Sequence, residues 1–188
     1  MERKDSLREL RDRPFELLRE LERRAVASAH GQQEGAGPGA EWVGLAVRLG
    51  GEGFLIARGE TREVMVLPAA LTRVPGAKPW IRGLANQRGQ LLPVIDLRAF
   101  FGTGPTPAGR TARIVVASHR DVPAGLLVDE VLGFRRFVEA EFSADLPPTL
   151  LRCEKFLAGA FRRGEDVWPV FSLRSLLDSQ AFLQAAAS

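Results

Sequence analysis

The chain lacks several features that would assign it to a particular compartment or chemistry. Cys153 is its only cysteine, so no internal disulfide can form and nothing favours an oxidising compartment. No apolar run approaches the roughly 20 residues that span a bilayer. The first residues alternate in charge and contain no apolar signal-peptide region. These absences predict a cytoplasmic protein that does not insert directly into a membrane.

Lysine is scarce and the basic residues form no block, which argues against nucleic acid as a partner. A net charge of +3 would suit such a partner, but the 26 basic and 23 acidic residues alternate along the chain. Only Lys4, Lys78 and Lys155 are lysines. Only the high isoelectric point of about 9.7 suggests the alternative of a small-barrel nucleic-acid-binding protein. Salt-dependent binding to DNA would reveal such a protein.

No group of polar residues has the spacing that a catalytic or metal site needs. Ser118, His119 and Asp121 include the residue types of a hydrolase triad, but neighbours on an extended segment point to opposite faces. Asp129 and Glu130 are also adjacent, so their carboxylates are expected to point to opposite faces rather than into one site. The two histidines and the single cysteine lie far apart, without metal-ligand spacing. We predict no catalytic residues, no metal and no cofactor; turnover assays would reveal a hydrolase.

The composition divides the chain into an arm, a linker and a main domain. Residues 1–30 have the periodicity of an amphipathic helical arm, which either covers its own domain or binds a partner. Residues 31–40 are rich in glycine and predict a flexible linker. Residues 41–188 form the main domain. The apolar face of the arm contains Phe15, Leu18, Leu21 and Ala25.

The main domain consists of short apolar segments between glycine and proline turns, a pattern typical of β-barrels or a sandwich. Helical patterns are confined to residues 97–101 and to a tail from Ser172 to about Ala186. The predicted strands are Trp42–Leu49, Phe54–Ile56, Arg62–Leu67, Gly83–Asn86, Leu91–Asp96, Ala112–Ala117, Gly125–Val128, Gly133–Val138, Leu157–Phe161 and Val167–Phe171.

The most informative segment is a predicted hairpin that follows Trp80. Arg88 and Gly89 form its turn, where Gly89 supplies a positive φ, and Leu91–Ile95 follow as a buried strand. Pro93 cannot donate to a sheet ladder, so this strand is expected at an edge or a bulge. Arg88 would then be presented beside an incompletely paired strand, an arrangement that suits a docking surface.

A weak repeat with an offset of 76 residues, from Gly83 to Gly159, predicts two similar β subdomains with a groove between them. The second copy has Arg162 and Arg163 near its turn and Gly164 at the position of Arg88, so the two surfaces cannot be equivalent binders. The matched residues are Gly83, Pro93, Val94, Leu97 and Arg98 with Gly159, Pro169, Val170, Leu173 and Arg174.

These residues resemble the CheW family of chemotaxis coupling proteins. The family's hairpin reads Gly-x-x-Asn-x-Arg-Gly, then apolar residues and Pro-Val-(Ile/Val)-Asp-Leu. The likeness covers about Trp42 to Leu177, and the flanking segments resemble the CheW-like adaptor of the system that controls type IV pilus twitching motility. The residues that fit the hairpin in order are Gly83, Asn86, Arg88, Gly89, Pro93, Val94, Ile95, Asp96 and Leu97.

The resemblance implies a mainly β fold of two intertwined five-stranded SH3-like barrels without a catalytic site. Such adaptors couple the cytoplasmic tip of a methyl-accepting chemoreceptor to the regulatory domain of a CheA-type histidine kinase. The receptor's helical hairpin lies in the groove between the barrels. The resemblance thus implies a signalling scaffold recruited to receptor arrays at the inner membrane, with flagellar chemotaxis as the alternative to twitching.

The resemblance implies that Glu63, Gly83, Arg88 and Gly89 lie around the groove between the barrels. With Trp80 and Asn86 they are the candidate partner-binding residues. Arg88 either contacts the partner or has a structural role at the turn, paired with Glu63 or Asp96. Asp96 is expected to accept backbone N–H bonds at the start of the following helical turn. The chain departs from the family at Thr61, where many relatives have an aliphatic residue, and at Gln87, where leucine is usual. Both departures bear on receptor preference.

Overall fold

The computed structural model describes residues 41–107 and 109–184, so the predicted arm (1–30) and linker (31–40) lie outside the described residues. Each predicted strand is present, with ends that differ by at most three residues. The strands are β1 (Glu41–Leu49), β2 (Glu52–Ala57), β3 (Thr61–Val66), β4 (Ile81–Gln87), β5 (Gln90–Asp96), β6 (Arg113–Ala117), β7 (Gly125–Val128), β8 (Glu130–Val138), β9 (Phe142–Ser143), β10 (Leu157–Arg163) and β11 (Asp166–Phe171). The sequence did not predict β9.

The helices are short and lie in the two regions that the sequence indicates: α1 (Leu97–Phe100), α2 (Leu173–Leu177) and α3 (Gln180–Leu183). Three 3-10 turns add Arg58–Glu60, Glu139–Glu141 and Glu154–Phe156. The tail contains two helices rather than one because Ser179 leaves the helical region, with a ψ of 140°, and its side chain accepts a hydrogen bond from the Phe182 N–H.

The strands form two sheets that are intertwined along the chain. The first sheet has the order β3-β6-β7-β5-β4 and comes from the middle of the chain. The second sheet has the order β8-β1-β2-β11-β10-β9 and combines strands from both ends of the described region. Pairing is antiparallel except between β5 and β7 and between β11 and β2. The mainly β, two-barrel fold class predicted from the sequence is confirmed.

The predicted repeat relates these two sheets. Gly83 in β4 and Gly159 in β10 both have a φ of +141° and both follow a shift in register. The strand outside β4 is reduced to one bridge at Thr72, whereas the strand outside β10 is the two-residue β9, which contains Ser143. The sixth strand of the second sheet therefore corresponds to this bridge in the first sheet.

Pro93 lies neither in an edge strand nor at a bulge, so both expectations from the sequence were wrong. β5 pairs with β4 on one side and with β7 on the other, and the register shift lies in β4. The parallel pairing with β7 begins at Val94, and that of β11 with β2 involves Val170. Each proline, Pro93 or Pro169, thus stands one residue before the parallel pairing and removes no donor from it.

Buried apolar side chains form three clusters, and one of them joins the two sheets. The shared cluster includes Leu45 and Val47 of β1 and Val115 of β6. The other two clusters are each confined to one sheet, and Ala46 of β1 belongs to the second sheet's own cluster. Because β1 is buried on both faces, it links the interior of its barrel to the core shared by both.

Candidate functional site

The β4–β5 hairpin turns through Arg88 and Gly89. Both residues have a positive φ, +52° and +83°, and Gln87 pairs with Gln90 across a two-residue loop. This is the geometry of a type I′ turn, which suits the twist of the flanking strands. The positive φ predicted for Gly89 is confirmed. The Gly89 N–H donates to Asn86 Oδ1 at 2.9 Å, so the asparagine side chain stabilises the turn.

Glu63 connects this turn to the opposite edge of the same sheet. β3 and β4 are the two edge strands of the first sheet. Glu63 on β3 nevertheless accepts a hydrogen bond from the Gln87 side-chain amide and another from Arg88 Nη2, the latter at 2.9 Å. We name these three residues the first closure contact, because they hold the sheet edges together. Of the two intramolecular partners considered for Arg88, the structure shows Glu63.

Arg88 remains accessible despite this contact. Its side chain is 78% exposed and that of Glu63 is 26% exposed. An ion pair this exposed stabilises a fold by roughly 0–1 kcal/mol. A non-glycine residue in the left-handed region costs about 1–2 kcal/mol. Stability alone therefore gives little reason for an arginine at this turn position.

Asp96 is fully buried and belongs to a different contact. Its Oδ1 accepts from the Ala99 N–H at 3.2 Å, which confirms the predicted cap of the helical turn. Thr106, which the sequence did not single out, donates its N–H and its hydroxyl to this carboxylate, each at 2.8 Å. Asp96 thereby anchors the loop that follows α1. Arg82 Nη1 lies 3.8 Å from Asp96 Oδ2.

The six candidate residues do not form one site. Glu63, Asn86, Arg88 and Gly89 are together at the turn, in the closure contact and the Asn86–Gly89 hydrogen bond. Trp80 precedes the other end of β4, a strand that spans roughly 23 Å at 3.3 Å per residue.

The other two candidates, Gly83 and Trp80, serve separate parts of the structure. A Cβ added to Gly83 would lie 2.5 Å from the carbonyl oxygen of Thr72, so glycine permits the bridge at this edge. The Trp80 ring packs against Phe100 and Phe182, with centroid distances of 5.1 and 5.7 Å. Trp80 also lines an apolar groove of about 460 Å³.

The second sheet has a closure contact of its own, which we call the second closure contact (Arg136, Glu141 and Arg163). Arg163 occupies the repeat position of Gln87 and binds Glu141 through two nitrogens, at 2.6 and 2.8 Å. It also donates to the carbonyl oxygen of Arg136 on the edge strand β8 at 2.9 Å. The hydrogen bond from Arg163, together with the Val138 N–H, lowers the pKa of Glu141 to about 2.

The polar residues considered for catalysis have structural contacts. His119 Nδ1 accepts from the backbone N–H groups of Asp121 and Val122, at 3.3 and 3.2 Å, and Nε2 lies 3.1 Å from Asp178. The His119 ring therefore organises a turn rather than a catalytic triad with Ser118 and Asp121.

The adjacent carboxylates and the cysteine are likewise part of the framework. Asp129 accepts from the Gly50 N–H at 2.7 Å, while Glu130 pairs with Arg48 at 3.2 Å. Burial raises the pKa of the Cys153 thiol to about 11, so the thiolate needed for nucleophilic chemistry is suppressed. Across residues 41–107 and 109–184, no helix has the length and hydropathy needed to cross a bilayer.

Two β-barrels with a shared core, an accessible charged turn and a separate apolar groove define a binding module of the scaffold type. The chain belongs to the CheW-like domain family, whose model matches residues 43–181. It is 42% identical to protein PilI of Pseudomonas aeruginosa over 176 residues, which cover 92% of this chain and 96% of PilI. The family resemblance predicted from the hairpin is thereby confirmed.

More distant relatives agree with this membership. The chemotaxis protein CheW of Helicobacter pylori is 26% identical over 157 residues, covering 84% of this chain and 93% of that protein. Among solved structures, the scaffolding protein TtCheW of Thermoanaerobacter tengcongensis superposes with a TM-score of 0.65 at 25% identity. That match covers 76% of this chain and 96% of TtCheW.

Proposed function

We propose that this protein is a non-enzymatic adaptor that couples a methyl-accepting chemoreceptor to a CheA-type histidine kinase and so controls type IV pilus twitching motility. Membership of the CheW-like family supports the coupling role. The 42% identity to PilI along most of both chains supports the pilus system. The adaptor would act in the cytoplasm, at receptor arrays on the inner membrane.

The observation that carries this proposal is the placement of Arg88. Its guanidinium is 78% exposed at the tip of a defined turn, although it pairs with Glu63. A partner that covers the turn would desolvate this charge, and the Glu63 carboxylate would still partly compensate it. Such a pre-positioned cation costs less to bury than a free one, because its geometry is set before binding. The turn is therefore a suitable contact for the receptor tip or the kinase.

The surrounding structure makes this turn a firm platform. Gln87 and Arg88 hold one edge of the sheet to Glu63 on the other edge, and Asn86 fixes the turn from inside. The barrel behind the turn shares its core with the second barrel. A coupling protein has to hold two partners in a defined relation, and a framework with a shared core can do so without chemistry of its own.

A co-sedimentation assay tests the coupling directly. A chemoreceptor cytoplasmic fragment displayed on vesicles would be mixed with the kinase, with and without the full-length protein. We expect the kinase to sediment with the receptor only when this protein is present, and Arg88→Glu to reduce the recruited kinase strongly. Arg162→Glu is the matched control, since Arg162 is exposed on β10 of the second barrel. Equal kinase recruitment with and without this protein would contradict the proposal.

A complementation experiment distinguishes the two motility systems. The chain would be expressed in Pseudomonas aeruginosa without PilI and, separately, in a strain without its flagellar CheW. We expect twitching zones to be restored in the first strain and swimming to remain defective in the second. Restored swimming without restored twitching would favour the flagellar alternative.

A further inference from the structure

The segment between Glu63 and Asp96 contains no acidic residue, although the chain as a whole has 23. Three cations of this segment, Arg73, Lys78 and Arg82, line a concave surface of about 500 Å³ beside β4. All charged residues that line this surface are basic. The surface is therefore electropositive in a chain whose charges otherwise alternate.

These cations are available to a ligand to different degrees. Arg73 and Lys78 are exposed, and neither makes an ion pair with any residue that the structure describes. Arg82 is nearer to a carboxylate, at 3.8 Å from Asp96, but that group already accepts three hydrogen bonds from Ala99 and Thr106. An arriving carboxylate would thus find two uncommitted cations and a third that is only partly neutralised.

The basic surface continues into the apolar groove of about 460 Å³ that contains Trp80. The two concavities share Val74, Ala77 and Ile81, so they form one surface with a basic half and an apolar half. Phe182 fixes the Trp80 ring from one side, and Leu183 at the rim is 56% exposed. Both volumes lie within the roughly 300–1,000 Å³ typical of ligand sites.

We propose that this combined surface is a second docking site, and that its occupant is a partner segment that carries carboxylates beside bulky apolar side chains. The apolar half provides binding free energy through burial, and the basic half selects among apolar segments by charge complementarity. The site lies along the Trp80 end of β4, where Ile81, Arg82 and Leu84 line it, whereas the Arg88 turn lies at the other end. An adaptor could therefore engage one partner at each end of the same strand.

Fluorescence anisotropy with two designed peptides tests this proposal on the full-length protein. One labelled peptide places leucine and phenylalanine at helical i, i+3 and i+7 spacing with glutamates alongside, and its twin replaces each glutamate by lysine. We expect the acidic peptide to bind at least about tenfold more tightly than the twin, with an affinity that decreases as salt rises. Equal binding of the two peptides, or no binding of either, would overturn the proposal.

Variants then locate the bound peptide. The double variant Arg73→Glu/Lys78→Glu should weaken binding of the acidic peptide at least about tenfold, and Leu183→Asp should weaken it through the apolar half. Arg162→Glu serves as the charge-matched control and Arg88→Ala as the test of independence; both should bind like the original chain. Circular dichroism checks that each variant is folded.

The outcomes separate this site from the Arg88 turn and from nucleic acid. Loss of peptide binding in Arg88→Ala, with retention in Arg73→Glu/Lys78→Glu, would assign the peptide to the turn and refute a second site. Displacement of the peptide by a single-stranded DNA oligonucleotide at lower concentration than unlabelled peptide would refute the acidic-segment occupant. Receptor–kinase coupling that fails while the peptide binds as expected would refute only the proposed function.

Discussion

The turns of the two barrels occupy equivalent positions in the repeat but use their positive charge differently. In the second barrel, Arg163 binds Glu141 with two nitrogens, and Gly164 begins the turn. In the first barrel, Gln87 stands at the position of Arg163, and the arginine is one residue further on, at the exposed tip. The cation that closes the second barrel is thus replaced by an amide in the first.

This difference separates two requirements that one arginine could not meet equally well. Closure of a barrel needs a donor directed back at an acceptor on the opposite edge, which is the Glu63 carboxylate in the first barrel and the Arg136 carbonyl oxygen in the second. Docking needs a charge that a partner can reach. Gln87 meets the first requirement in the first barrel and leaves Arg88 accessible, whereas the second barrel has glycine where Arg88 would stand. We therefore expect the first turn to be functional and the second to be structural.

The largest expected effect is a loss of stability at the two equivalent glycines, Gly83 and Gly159. Gly83→Ala and Gly159→Ala would each place a Cβ 2.5 Å from a carbonyl oxygen, that of Thr72 or of Ser143, at a φ of +141°. We expect each change to lower the free energy of unfolding by more than about 3 kcal/mol, measured by urea denaturation. Gly164→Ala is the control, because nothing lies within 4 Å of its added Cβ. Gly83→Ala with the stability of the control would break the equivalence of the barrels.

Arg88→Ala and Arg163→Ala should have opposite consequences. Arg88→Ala should weaken association with the receptor fragment or the kinase by about 2–5 kcal/mol, because a charge is lost from a desolvated interface. Its unfolding should change little, since the Arg88–Glu63 pair is exposed. Arg163→Ala should lower the melting temperature while association is retained. Titration calorimetry and thermal unfolding measure the two effects, and unchanged association for Arg88→Ala with a normal fold would remove Arg88 from the interface.

Valine substitutions at the two turn glycines separate an effect on stability from an effect on coupling. Gly89 and Gly164 have φ values of +83° and +62°, and an added Cβ meets nothing within 4 Å at either position. Gly89→Val and Gly164→Val should therefore lose a similar stability, about 1–3 kcal/mol, through backbone strain alone. Only Gly89→Val should also lose receptor–kinase coupling in the co-sedimentation assay. Equal loss of coupling in both variants would indicate a general effect of reduced stability.

The smallest expected effect is a pH dependence contributed by the second closure contact. The pKa of Glu141 is lowered from 4.5 to about 2 by Arg163, so its ionised form stabilises the folded state. That contribution is fully present above pH 4.5 and is lost as the pH falls towards 2. Glu141→Gln should therefore flatten the decrease in melting temperature between about pH 5 and 2. An identical pH profile for Glu141→Gln and the original chain would contradict the assigned pairing of Glu141 with Arg163.

Much of the fold could be predicted because it depends on local signals. Apolar alternation and glycine or proline turns located ten strands, and the matched Gly83 and Gly159 indicated the repeat. The missed strand β9 has two residues, too few for a periodic pattern. The tail was predicted as one helix because its apolar spacing does not show that Ser179 leaves the helical region.

The candidate site was less predictable, because its contacts depend on how the closed sheet brings distant residues together. Trp80 and Arg88 were grouped together, although the length of β4 separates them. Gln87 was noticed only as a departure from the family, yet it forms the first closure contact with a residue 24 positions away. Thr106 gave no signal at all, since its contact with Asp96 depends on how the loop after α1 returns.

The sequence by itself determined the strands other than β9, the positive-φ turn at Gly89 and the family, because these depend on local steric and periodic patterns that neighbouring residues express. Only the tertiary structure decided which carboxylate meets which cation and which surfaces are continuous. Glu63 reaches the turn because the sheet brings its two edges together, and the basic and apolar concavities merge because Val74, Ala77 and Ile81 line both. Such contacts follow from the closure and packing of sheets, which join residues that are distant in the chain.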